Sequence, residues 1–516
     1  MPIKIYPLLY KPGIKRDGTL FQSEYCTNGS WIRFRHGVVK KMGGMKGMNI
    51  SFNMPSSGLL LTISTTSPNY FGYIGNATRI TKFTFNNNFI SVAAPYFVIS
   101  AIGGRPNLIW QFEIIITPDS VRHIVCFGAN NAQNITENSA PLLYSGDIEA
   151  PTNTQLTTRV INPLANGGIC FVSPYLFIYG TNGYVAYSTA ANPFDFTTVT
   201  GGDRSGTLKI SSDKVIYGAA IRGGSNEPSV LFWTMSSVIR ITNVGDNEVK
   251  FKKDKITKDS SILSSKCVIE DKGVFYWPGT NEFYIYNGLV GTMLNNTHLD
   301  FFFQNIDLNQ RQKVFGVKNA GYNELCWFFP RKGQQGNSWV LIYNTLEKCW
   351  YDTPIRRDAG FFFQETGFLC TSGQALILND GNYYLWRHED GTYQVWTPQG
   401  LDERTDPIPS SFTTPVISWS ILNSSGQMSS EDRWIDVKRI EPDLLMDADD
   451  HIMQFVVNTK EYAQSPTTST VPINLTSITP KADLSVQGRN ITFTFSSAEN
   501  FEIGNIRLGL SIGDGQ

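Results

Sequence analysis

The feature that most limits what this chain can fold into is a recurring pair of short runs rich in aromatic and β-branched residues. Each run is closed by Gly, Asn, Asp, Pro or Ser. Such runs read as strands and the punctuation between them as tight turns. The clearest case lies between Gly168 and Ser188. Ile169–Val172 is followed by a Ser-Pro turn, Tyr175–Tyr179, a Gly-Thr-Asn-Gly turn and Tyr184–Tyr187. Upstream, Tyr70–Tyr73 pairs with Ile80–Phe85, and Trp110–Ile116 with His123–Phe127. Downstream, the pairs are Val230–Trp233 with Val238–Ile241, Val274–Trp277 with Glu282–Tyr286, Leu325–Phe329 with Trp339–Tyr343, and Ala375–Leu378 with Tyr383–Trp386.

The pairs start roughly 40–60 residues apart, which suits four-stranded blades set around an axis. Many of the runs are apolar at every position. A strand covered on both faces reads that way, and packed blades cover each other. Residues 55–404 are therefore expected to form a β-propeller of six to eight blades, with a set of β-sandwiches as the competing architecture. Helical periodicity is scarce. Only Phe301–Phe315, behind a cap-like Thr297/Asp300 region, predicts a helix.

The texture changes after Gly400. Asp402–Pro409 reads as a charged, proline-containing linker, and beyond it Val416–Ser420, Trp434–Ile440, Met453–Val457, Ile491–Phe495 and Ile506–Ile512 read as strands. Residues 405–516 thus suit a small β-sandwich-like domain. Residues 1–54 form a basic strand-and-turn segment around Trp31–Arg35. Strand alternation puts Arg33 and Arg35 on the face of Trp31, with Ile32 and Phe34 opposite. The expected class is all-β throughout.

Charged residues are only 17 % of the chain and aromatics 13 %, the reverse of the balance that keeps a chain disordered. The net charge of −1 hides an asymmetry. The first 50 residues hold nine Lys/Arg against two Asp/Glu, and residues 405–516 hold seven against fourteen. Such asymmetry bears on partners, not on fold. The candidate contacts to DNA or to neighbouring subunits are Lys11, Lys15, Arg16, Arg33, Arg35, Lys40 and Lys41, with Lys46 beside them. A basic cluster can hold phosphates, but no motif that reads DNA or RNA accompanies this one.

Catalytic signatures are missing. The chain has no Walker loop, no GxSxG, no HExxH and no EF-hand loop. His36, His123, His298, His388 and His451 are scattered, with no two at metal-ligand spacing. The seven cysteines stand far apart without a CxxC pair, and most sit in strand-like runs, which predicts buried, inert thiols. Ser211–Val215 starts like a sialidase Asp box and then departs from it. Glu441, Asp443, Asp447, Asp449 and Asp450 beside His451 read as a solvated acidic turn in preference to a calcium site. No catalytic residue, metal or cofactor is expected. No window is apolar for long enough to cross a membrane as a helix. Met1–Tyr10 lacks the pattern of a signal peptide, so synthesis in a cytoplasm is expected.

Four stretches carry a family resemblance. The first runs from Lys11 to Gly44, with Lys-Pro-Gly-Ile-Lys-Arg-Asp-Gly-Thr-Leu-Phe at its start and Trp-Ile-Arg-Phe-Arg-His-Gly-Val-Val-Lys-Lys-Met-Gly-Gly at its end. The second is Ser188–Phe196, with Asn192-Pro-Phe-Asp-Phe196. The third is Glu324–Asp352, with Cys326-Trp-Phe-Phe-Pro330 and Lys348-Cys-Trp-Tyr-Asp352. The fourth is Ile506–Gly509. Together they resemble the tail-nozzle (tail tubular) proteins of short-tailed bacteriophages. The resemblance implies a structural virion protein, not an enzyme, that forms a homo-hexameric ring or tube below the portal and adaptor, with viral DNA passing through the lumen. It also implies contacts with adaptor or portal and tail fibre proteins, and a place in the virion tail after assembly in the host cytoplasm. A propeller that binds or hydrolyses host-surface glycans is the alternative.

Overall fold

The computed structural model describes every residue except 1–2, 20–22, 100–107, 131–140, 152–153, 222–228, 246–249, 378–379, 399, 419–432 and 513–516. Parts of three predicted runs lie outside the described residues: Leu20–Phe21 of the first resemblance stretch, Leu378, and the end of Val416–Ser420.

Seven four-stranded antiparallel sheets follow one another along the chain. Blade 1 is Ser56–Ile63, Tyr70–Asn76, Ile80–Phe85 and Tyr96–Ile99. Blade 2 is Leu108–Ile116, Arg122–Asn130, Leu142–Asp147 and Thr157–Arg159. Blade 3 is Gly168–Val172, Tyr175–Tyr179, Tyr184–Tyr187 and Gly206–Lys209. Blade 4 is Val215–Ala220, Ser229–Thr234, Val238–Asn243 and Phe251–Thr257. Blade 5 is Ile269–Asp271, Val274–Pro278, Phe283–Tyr286 and Val290–Thr292. Blade 6 is Phe315–Asn319, Glu324–Phe329, Trp339–Asn344 and Cys349–Pro354. Blade 7 takes Ala359–Phe363, Phe368–Gly373 and Tyr383–His388 from late in the chain and its outer strand, Met45–Phe52, from near the start.

The first strands of neighbouring blades touch, and blade 7 returns to blade 1. Blade 4 meets blade 5 through Trp233 against Phe275 and Trp277. The ring is therefore closed, and one central cavity is lined from all seven directions, by Leu59, Gln111, Ile169, Tyr217, Val268, Gly316 and Ala359. This is a seven-bladed propeller, within the range the spacing predicted.

The sequence logic of the blades holds. Tyr175–Tyr179, Ser229–Thr234 and Glu324–Phe329 are buried at every position because a neighbouring blade covers each face. Side-chain staples cross between blades. Trp110 Nε1 donates to the Asn76 carbonyl at 2.9 Å, Trp327 Nε1 donates to the Cys267 carbonyl at 2.9 Å, and the Gly218 N–H donates to the Tyr179 hydroxyl at 2.9 Å. Glycine permits the closest approaches. A Cβ at Gly316 would stand 2.6 Å from Ile269 Cγ1 and 2.9 Å from the Cys267 carbonyl oxygen.

Two expectations need correction. Ala375–Leu378 is not the partner of Tyr383–His388. That strand pairs with Phe368–Gly373 on one edge and Met45–Phe52 on the other, and the side chain of Ile377 is exposed. The predicted helix Phe301–Phe315 is only Leu299–Asn305, followed by a 3-10 turn at Leu308–Lys313 and the first strand of blade 6. Its first turn is capped from afar: the Asp17 carboxylate accepts from the Asp300 and Phe301 N–H groups, at 3.0 and 2.8 Å.

The C-terminal region is built with strands from the first 54 residues. Lys4–Leu8 pairs with Ile506–Ile512, which pairs with Ile435–Glu441 and through it Ala482–Gly488. A second sheet orders Asn28–Ser30, Ser410–Thr413, Asn490–Ser497 and Met453–Lys460. A third joins Leu444–Met446, Phe501–Ile503, Val38–Lys41 and Ile32–Arg35. Asn490–Ser497 alternates strictly between half-buried and buried, as a strand with one face on a core should. The reading of Asp402–Pro409 as a bare linker changes as well. Its Arg404–Asp406 pairs with Gln394–Trp396, which lies parallel to Met45–Phe52 and widens the blade 7 sheet.

One apolar cluster runs from Phe328, Val340 and Tyr351 of blade 6 through Ile14, Phe34 and Val39 to Phe412, Phe455 and Phe493. The N-terminal segment is thus the filling between propeller and sandwich, and its first two strand sets belong to the sandwich sheets.

Candidate functional site

The basic N-terminal residues were the sequence's leading candidates, and most of them meet carboxylates of this same chain. Lys11 pairs with Glu24 at 2.5 Å on the surface, and Lys40 pairs with Glu502. Arg16 donates to both oxygens of Asp352, at 2.9 and 3.2 Å. Arg33 donates to both oxygens of Glu324, at 2.8 and 3.2 Å, and to both of Glu389, at 2.7 and 2.5 Å, while its guanidinium lies 3.6 Å over the Tyr322 ring. Lys41 donates to the Thr392 carbonyl at 2.7 Å, and burial lowers its ammonium to about 8. Arg33 and Lys41 are buried, so neither reaches DNA or a neighbouring subunit. Lys15 is half-buried, and Arg35 is exposed with no ion pair among the described residues. Of the basic face predicted for the Trp31–Arg35 run, Arg33 is covered by Tyr322, Glu324 and Glu389, and Arg35 stays exposed.

Two buried polar clusters weld the segment to blade 6. In the first, Asp352 accepts from Arg16, from His298 Nε2 at 2.9 Å and from Trp339 Nε1 at 2.8 Å. Burial alone would raise this carboxyl, but the hydrogen bond from His298 and the charge of Arg16 outweigh it and hold it at about 2. The other ring nitrogen of His298 lies 3.0 Å from Thr297 Oγ1, which donates to the Ile14 carbonyl at 2.6 Å. A His–Asp pair with a hydroxyl beside it invites a catalytic reading. Here the hydroxyl is spent on a backbone carbonyl and His298 is fully buried, so no substrate reaches it. In the second cluster, Glu324 also accepts from Tyr351 at 2.8 Å and from Asn319 at 3.0 Å. Burial raises the Glu324 carboxyl, and Arg33 offsets only part of that.

The exposed charge lies elsewhere. Lys252, Lys253, Lys255 and Lys258 are exposed on and just after the outer strand of blade 4. Lysines on a free sheet edge also discourage unwanted strand pairing. The acidic turn of the sandwich is solvated, as expected. Asp443, Asp447, Asp449 and Asp450 are exposed, Asp447 accepts from Asn500 and Asp449 from Ser477, and no metal-holding group of side chains occurs among the described residues. All seven cysteines are buried and unpaired. Burial pushes the Cys26 thiol up to about 12 and Cys267 to about 11.

Two concave sites stand out among the described residues. The central cavity of the propeller holds about 240 Å³. Gln111, Glu113, Ser265 and Lys266 supply its polar wall. Nothing in the sequence marks these four as a group, because Gln111 and Glu113 come from blade 2 and Ser265 and Lys266 precede blade 5. A groove of about 450 Å³ between blades 6 and 7 is lined by Arg331, Lys332, Arg356 and Trp339, with Arg331 stacked 4.5 Å over the Trp339 ring. Among the described residues no helix is long and apolar enough to cross a membrane.

No family model and no curated protein matches the chain. Among solved structures, BBS1N in complex with ARL6DN is similar over 69 % of this chain and 97 % of that one, at 10 % identity and a TM-score of 0.41. A likeness of that degree carries no statement about function.

Proposed function

We propose that this protein is a structural subunit of a short phage tail, of the nozzle type, in which copies join into a ring or tube below the portal and adaptor and DNA passes through the lumen. The observation that carries this reading is where the resemblance stretches lie. Three of the four meet at one junction. Arg16 and Arg33 of the first stretch bind Asp352 and Glu324, the two ends of the third. The fourth, Ile506–Gly509, lies in the strand that pairs with Lys4–Leu8, just ahead of the first. Shared residues of an enzyme family gather in an open cleft. These gather in a buried weld between propeller and sandwich, which suits a rigid part that bears load.

The geometry constrains the assembly within this reading. In this arrangement the lumen lies between subunits, and the propeller axis is a separate cavity of about 240 Å³ lined by all seven blades. The N-terminal basic residues are largely neutralised within the chain, so head-to-tail complementarity falls to other surfaces. The lysines of blade 4 and the acidic turn at Asp443–Asp450 are exposed and opposite in sign, as a heterologous ring contact uses.

Immunogold labelling of virions with antibody against the purified protein tests the reading, with light scattering for its oligomeric state. Label on the tail tube and a ring of fixed number are expected. Label confined to fibres, or a free monomer that hydrolyses glycans and is absent from tails, would overturn it.

A further inference from the structure

The propeller axis carries a lysine with no counter-ion. Lys266 precedes the first strand of blade 5, and its main chain is fixed on both sides: its N–H donates to Ser264 Oγ and its carbonyl accepts from the Gly316 N–H of blade 6, at 2.8 Å. The side chain lines the central cavity, and among the described residues its ammonium meets neither a carboxylate nor a hydrogen-bond acceptor. Next to it Ser265, 1 % exposed, also lines the cavity, and its hydroxyl has no partner. Across the cavity Gln111 uses Oε1 to accept from the Ile169 N–H at 3.1 Å. That fixes the amide so that its NH₂ is a donor with no acceptor among the described residues. Tyr217 contributes a phenol. The one carboxylate in the wall, Glu113, has a partner of its own.

We propose that the central cavity is a binding site for a small oxyanion, held by the Lys266 ammonium and by donors from Ser265 and Gln111. Blades 2 and 5 thus place donors in the wall of one cavity, a space that suits a tetrahedral anion or a small carboxylate. A half-buried ammonium without a counter-ion is partly desolvated, and an anion that enters offsets that cost. Burial lowers Lys266 to about 7. The free site therefore sheds its charge near neutral pH, and a bound anion draws the proton back. The titratable groups facing the cavity are Lys266, Glu113 and Tyr217. The site asks nothing of the tail reading and stands or falls separately.

The test is isothermal titration of the full chain with sulfate, whose charge is constant above pH 6, and with succinate as a carboxylate. Saturable binding of one anion per chain is expected, weakening roughly twentyfold from pH 6.5 to 8.5 as Lys266, at about 7, deprotonates. Lys266→Met should abolish it, and Lys266→Arg should retain it. Sulfate alone assigns the site to tetrahedral anions and succinate alone to carboxylates. Absence of saturable binding by both, or equal binding in Lys266→Met and wild type, would overturn the proposal. If Lys266→Met fails to fold, Gln111→Ala and the wild-type pH profile decide: unchanged affinity in both sinks it.

Discussion

Replacing Arg33 by Met should be the most damaging single change to the junction between propeller and sandwich. The guanidinium makes four hydrogen bonds to two carboxylates, with side-chain exposures of 4 % for Arg33, 2 % for Glu324 and 16 % for Glu389. Met restores the apolar bulk but leaves Glu324 buried and charged with only Tyr351 and Asn319 as donors. Removing one partner of a buried pair costs about 3–5 kcal/mol. Glu389 softens the effect, since it is partly solvated and also accepts from the Gly43 N–H at 3.0 Å.

The pH dependence separates this mechanism from a packing defect. Burial already raises Glu324 in the wild type, and without Arg33 it rises further. A carboxyl raised in the folded state favours folding below its unfolded value, about 4.3, and that advantage is lost as pH rises. The gap between variant and wild type should therefore narrow from pH 7 to pH 5. Urea unfolding followed by tryptophan fluorescence at both pH values measures it, and Arg33→Met/Glu324→Gln should recover most of the loss at pH 7. A variant within about 0.5 kcal/mol of wild type at pH 7, or a gap that does not narrow at pH 5, would refute the reasoning.

Three further outcomes follow from the same structure. Asp352 is held at about 2 by His298 and Arg16 after its burial is overcome. Its stabilisation is complete above the unfolded value of about 4 and is lost as pH falls toward 2, so Asp352→Asn should cost about 2–3 kcal/mol at pH 7 and lose that deficit in acid melts. Gly316→Ala should destabilise by about 1–3 kcal/mol in thermal melts, because the added methyl meets the Cys267 carbonyl, which blade packing holds in place. With all seven thiols buried, a thiol-specific colorimetric reagent should react with none in the native protein and with all seven in denaturant.

The propeller was legible wherever both faces of a strand are covered, because such runs stay apolar at every position. Ser229–Thr234 and Glu324–Phe329 announce themselves for that reason. Blade 7 was misread because its outer strand comes from residues 45–52, and the nearest candidate by sequence, Ala375–Leu378, filled the gap. The short helix was overextended because Asp307 starts a new turn, accepting from the Asn309 N–H at 3.0 Å and ending the apolar periodicity. The basic N-terminus looked like a surface patch because Glu324, Asp352, Glu389 and Glu502 lie about 300 residues or more away, and charge pairing over that separation leaves no trace in local sequence. The cavity residues were invisible for a related reason: each sits in an ordinary strand or turn, and only the closure of the ring brings them together.

That closure also sets an order of events in the making of the protein. Met45–Phe52 leaves the ribosome early, and its partner Tyr383–His388 follows more than 300 residues later. At about 5–20 residues per second, the first-made edge waits roughly 15–70 s for the strand that completes its blade. During that interval blade 7 lacks its outer pairing, and the N-terminal segment lacks the sandwich sheets and the later carboxylates Glu389 and Glu502. The pairing of Tyr383–His388 with Met45–Phe52 therefore acts as a latch that shuts the ring.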